Sequence, residues 1–160
     1  MKALFRWIVL VLTIGGGFAG LMVALQVIFN SDATGLAPVI WGVVLVVNIY
    51  TILSGLLFAD KPTRTTPLAV AFALQIPCIS SPFLVYTFGM GFRVSAGFIG
   101  GRFSANYRLG SDFQVALLQG HPWGIGVNLF ALLMFVMLLR YSRTPNTALE
   151  PTATAPSVLD

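Results

Sequence analysis

An all-α membrane protein, a bundle of four transmembrane helices with a small extracytoplasmic cap, is the fold class that this 160-residue sequence predicts. Three observations predict it. Hydrophobic residues make up 57% of the chain and charged residues 9%, against roughly 25% charged in a soluble domain. Four apolar runs are each long enough, or nearly so, to cross a hydrocarbon core of about 30 Å at helical rise. No Asp, Glu, Lys, Arg or His lies inside any run, and Arg140 closes the last.

The first span is 7–29, preceded by Lys2 and Arg6. A signal peptide begins in the same way, with Gly15, Gly16, Gly17, Ala19 and Gly20 as small residues near a cleavage site. The run continues through Leu21, Met22, Val23, Leu25 and Val27, past a typical signal core, so an uncleaved anchor is expected. Within it Gly16, Gly20 and Ala24 repeat small residues every four positions, the spacing that lets helices pack closely.

A polar link carrying Asp32 leads to the second span, 37–59, where Pro38 suits a first helical turn. The stretch 60–66 breaks the apolar pattern with Asp60, Lys61, Pro62 and Arg64, and Pro67 starts a third span, 67–91. Pro77 and Pro82 should kink that helix. The fourth span is 122–140, closed by Arg140 and Arg143. These spans form one domain, 1–141, and the tail 142–160, broken by Pro145, Pro151 and Pro156, is expected to be disordered and cytoplasmic.

Orientation follows from the loops. Lys2, Arg6, Lys61, Arg64, Arg140 and Arg143 fall on one side, and Arg93, Arg102 and Arg108 on the other. Basic residues resist translocation, so both termini are expected in the cytoplasm, in a plasma or inner membrane.

The loop after the third span is longer than a usual bundle connection. Gly100-Gly101 is a two-residue hairpin signal. Folding the chain there pairs Phe98 with Phe103, Ala96 with Ala105, Val94 with Tyr107 and Phe92 with Leu109 on one apolar face. The other face pairs Ile99 with Arg102, Gly97 with Ser104, Ser95 with Asn106 and Arg93 with Arg108. An amphipathic hairpin over 92–109 is therefore expected, the competing reading being a third helix that continues to about Ile99. A short helix over 111–119 should follow, with Ser111 as cap, Asp112 in its first turn and Gly120 ending it. His121, Pro122 and Trp123 mark the water boundary before the last span.

The charge of +4 does not point to nucleic acid, because the basic residues form no stripe or helix face. One cysteine, Cys78, allows no internal disulfide, and one histidine, His121, allows no His-rich metal or haem site. No catalytic constellation is evident; Asp32, Asp112 and His121 on the outer side are the nearest approach to one, and no cofactor is expected. Asn48, Gln75, Cys78, Ser80, Ser81 and Asn128 form a candidate intramembrane polar site, with interhelical hydrogen bonding the preferred use. Arg93, Arg102 and Arg108 are candidates for contact with lipid headgroups or another anion. Together these features predict a non-enzymatic structural or accessory protein whose partners are membrane lipids, other membrane proteins or itself. The alternative is a small transporter or channel subunit for a neutral or weakly polar solute.

Overall fold

A computed structural model describes residues 2–30, 35–118 and 120–143. The chain opens with a continuous helical rod made of α1 (Lys2–Leu10), a π-helical turn (Val11–Gly15) and α2 (Gly16–Asn30). Thr13 lies in the π turn and its hydroxyl donates to the Val9 carbonyl at 2.7 Å, which gives the locally widened backbone a polar partner. Helix α3 (Ala37–Asp60) begins with proline in its first turn, and Arg6 donates to the Ala59 carbonyl, a cation at the negative end of the helix. The stretches Ala3–Asn30 and Ala37–Asp60 are long and apolar enough to cross a membrane.

Two shorter helices, α4 (Thr66–Ala73) and α5 (Leu129–Arg143), complete the helical part. Val9, Phe58, Leu68, Phe72, Ala131, Met134 and Leu138 are all buried where α1, α3, α4 and α5 meet. Phe5 and Phe58 both make ring contacts with Tyr141. The start of α1, the end of α3 and the end of α5 therefore lie at one end of the molecule.

Among the described residues, those between α4 and α5 form an antiparallel half-barrel of six strands: β1 (Pro77–Ser80), β2 (Leu84–Gly89), β3 (Phe92–Ile99), β4 (Arg102–Leu109), β5 (Asp112–Leu117) and β6 (Gly124–Asn128), in the order β4-β3-β6-β1-β2-β5. This overturns the all-α bundle. The third predicted span, 67–91, is helical only as far as Ala73 and then becomes β1 and β2. The reason lies in Pro77 and Pro82, which remove amide donors from a helix, and in the β-branched and aromatic run Leu84-Val85-Tyr86-Thr87-Phe88. The predicted helix over 111–119 is strand β5 instead, because Phe113, Val115 and Leu117 alternate with Gln114 and Ala116 and pair with β2. The helix of the fourth predicted span, 122–140, starts only at Leu129. Before it, Gly124-Ile125-Gly126-Val127 alternates as β6, and Asn128 Oδ1 accepts from the Ala131 amide at 3.3 Å as the helix cap. Of the predicted tail, Ser142 and Arg143 continue α5, while 144–160, like Asp32, lie outside the described residues.

The hairpin over 92–109 has all eight cross-strand pairs expected from its turn, from Phe92 with Leu109 to Ile99 with Arg102. Gly100 and Gly101 have φ of 57° and 77°, which a type I′ turn requires at both central positions. The same division of faces runs through the whole sheet. Partners of the apolar hairpin residues are Val127 and Ile125 on β6, then Ile79 on β1, Tyr86 on β2 and Val115 on β5. Partners of the polar ones are Gly126, Cys78, Ser80, Thr87 and Gln114. The helices pack against the apolar face, with Phe130 of α5 edge-on to Phe92 and Trp41 of α3 edge-on to Phe113.

Candidate functional site

Because strands from both ends of the sheet contribute to it, the polar face is concave and encloses a groove. Its cavity measures about 260 Å³ and is lined by Cys78, Ser80, Thr87, Arg93, Ser95, Ser104, Asn106, Gln114 and His121, among others. Gly97 and Gly126 form the floor where β3 and β6 pair side by side: a methyl group on Gly97 would lie 2.4 Å from the Gly126 Cα, so two side chains cannot fit there. The floor is bare backbone, and the walls mix hydroxyls and amides with apolar side chains such as Val85, Ile99 and Pro122.

Charge enters the groove at one end. Arg93 Nη2 meets Asp112 Oδ2 at 2.8 Å, and Arg108 Nη1 meets Asp112 Oδ1 at 3.2 Å. The Arg93 side chain is 8% exposed, and its Nε and Nη1 are buried with no hydrogen-bond partner among the described residues.

The predicted polar site does not form one cluster. Cys78 and Ser80 line the groove, where the Ser80 hydroxyl donates to the Pro122 carbonyl at 2.8 Å. Ser81 instead closes the β1–β2 turn through both the amide and the carbonyl of Leu84. Asn48 is fully buried, donates to the Val44 carbonyl at 2.8 Å, and leaves Oδ1 without a partner among the described residues. Gln75 donates to the Ala71 carbonyl and accepts from the Met90 amide, both at 3.0 Å, and so fastens the β2–β3 turn to α4. Asn128 caps α5.

The three arginines are likewise divided. Arg93 and Arg108 share Asp112, whereas Arg102 stands beside the hairpin turn, opposite Ile99. Gly16 packs against the backbone of Met90 and Gly91 in the β2–β3 turn, Gly20 against the Asn48 amide, and Ala24 is fully buried. Ser111, expected to cap a helix, donates to the Gly16 carbonyl and ties the rod to the sheet. Sequence reasoning missed Thr87 and Gln114 as groove residues, and Asp112 as the partner of two arginines. Alternation in β2 and β5 was the available signal.

Fold and site together define a helix-anchored antiparallel half-barrel that is apolar outside and polar inside. Comparisons with protein-family models, curated proteins and solved structures find no match to this chain.

Proposed function

We propose that this chain is a multi-pass integral membrane protein that acts by association with lipid, with other membrane proteins or with itself, and carries out no chemistry of its own. One observation carries the reading: the apolar outer face of the sheet adds to the apolar surface of two long helices. Phe98, Phe103, Tyr107, Leu109 and Ile125 are exposed on the sheet, and Phe18, Met22, Val39, Val43 and Val46 on the helices. Contiguous apolar surface of this kind is rare on soluble monomers and calls for hydrocarbon or a protein partner. Polar inside with apolar outside is also the alternation of sheets that face lipid.

Strand β4 adds support for a protein partner. Among the described residues it is an edge strand with a single neighbour, β3, and every one of its residues is exposed. Backbone groups on a free edge must be paired if they enter hydrocarbon. The basic residues support the orientation with both termini in the cytoplasm, since the ends of α1, α3 and α5 that carry Arg6, Lys61 and Arg140 gather at one end of the molecule.

A carrier for a neutral solute is the second reading, and the polar groove is what favours it. Such a carrier needs a path onward through the helices. Asn48 and Gln75 are buried and absent from the groove lining, Asn48 donating within α3 and Gln75 tying α4 to the β2–β3 turn, which supports the association reading. The test is thiol accessibility in sealed vesicles, with Asn48→Cys, Gln75→Cys and Ser104→Cys placed singly in a Cys78→Ser background. Labelling at Ser104 alone by an impermeant reagent is the expected result. Labelling at all three positions would overturn it in favour of a carrier.

A further inference from the structure

A guanidinium can only donate hydrogen bonds. Arg93 has one of its three nitrogens satisfied by Asp112, while Nε and Nη1 are buried and bare. Buried donors without acceptors are costly and rare in folded proteins. Arg93 forms part of the wall of the 260 Å³ cavity, with Nε and Nη1 shielded from solvent, so a ligand in the cavity supplies the missing acceptors once the guanidinium shifts toward it. The local charge points the same way. Two arginines share one carboxylate, leaving this end of the groove with one net positive charge. Thr87, Ser95, Asn106 and Gln114 add neutral donors around it.

We propose that the groove is an oxyanion site, in which a phosphate or carboxylate group accepts from the free Nε and Nη1 of Arg93. Asp112 holds the guanidinium in place, and the hydroxyl and amide walls accept the remainder of the ligand. Guanidinium is suited to this task because its charge is permanent and its donors are fixed in a plane. Arg102, at the hairpin turn, takes no part. The oxyanion belongs either to a free small molecule or to a lipid headgroup whose chains lie against the apolar outer face. The inference goes beyond the association reading and does not rest on it, since a detergent-purified chain tests it without a bilayer.

The experiment is equilibrium dialysis of the full chain in a non-ionic detergent at constant ionic strength, first with radiolabelled inorganic phosphate and then with soluble short-chain phosphatidylglycerol. Saturable binding of phosphate points to a free ligand, and binding of the phosphatidylglycerol alone points to a headgroup. Either is the expected result, provided that Arg93→Gln weakens it about tenfold or more while Arg102→Gln leaves it unchanged. If Arg93→Gln does not fold, the double variant Thr87→Val with Gln114→Leu removes polar wall without touching the ion pair and should weaken binding severalfold. Absence of saturable binding of both probes to the unmodified chain overturns the proposal. So does binding that survives Arg93→Gln, or that survives the double variant when Arg93→Gln does not fold.

Discussion

One methyl group tests how the helical rod meets the sheet. A Cβ added to Gly16 would lie 2.7 Å from the Gly91 amide nitrogen and 3.0 Å from the Met90 carbonyl carbon, both backbone atoms that cannot rotate away. Gly16→Ala should therefore lose about 1–3 kcal/mol of stability. Gly42→Ala, with nothing within 4 Å of the new methyl group, should gain up to about 1 kcal/mol from helix propensity. Melting of the two variants in detergent checks this, and equal melting temperatures would show that the contact with Gly91 is not tight. Asp112 offers a second residue-scale test. Asp112→Asn leaves the buried Arg93 charge without its counter-ion and should cost about 3–5 kcal/mol, while Asp60→Asn at an exposed helix end should cost under about 0.5 kcal/mol. Comparable denaturation of these two variants would count against a supporting role for the ion pair. At this scale the small residues at Gly16 and Gly20 were legible by spacing alone. Their neighbours were not, because Gly91 lies 75 residues from Gly16 in the chain and no local pattern encodes that meeting.

Among the elements, legibility depended on whether a turn announced itself. Gly100-Gly101 fixes both the reversal and the register, and eight pairs follow from that single point. Strands β1 and β2 have no such marker. Their groove-facing residues are Cys78, Ser80, Val85, Thr87 and Gly89, small or neutral, so the segment reads as an unbroken apolar run of the length of a spanning helix. Pro77 and Pro82 were the contrary signal, and reading them as kinks preserved a helix that the backbone does not form. Asn128 carried a similar signal, since an asparagine just before an apolar helical run marks a cap more readily than the middle of a span. The division of faces gives the element-scale prediction. Val94 is half-buried on the apolar side and Ser95 faces the groove. Val94→Asp should destabilise by at least about 2 kcal/mol, because a carboxylate is forced among Tyr107, Ala105 and neighbouring apolar groups, and Ser95→Asp by clearly less. Detergent melts with equal losses would refute the assignment of faces.

The whole molecule combines what was legible with what was not. The two long helices and the gathering of basic residues at one end follow from the runs and loops of the sequence. The half-barrel does not, because β6 inserts between β3 and β1 and so joins strands that are distant in the chain. That insertion shortens the helical part of the last segment to 15 residues, about 22 Å at helical rise and too short to cross a bilayer without β6. A bilayer-spanning molecule would then have Trp7, near the start of the rod, at one interface and Trp123, just before β6 and beside the groove mouth, at the other. Both indoles are 68% exposed, so both are free to report their surroundings. In single-tryptophan variants reconstituted into vesicles, lipids brominated near the headgroup should quench each more strongly than lipids brominated near the chain ends, as expected for indoles in the interfacial belts. Deep quenching of Trp123 would put the groove mouth inside hydrocarbon, where the free edge of β4 would need a protein partner along its length. Failure of every brominated lipid to quench either residue would remove the membrane reading itself and leave the apolar outer face to be covered by protein alone.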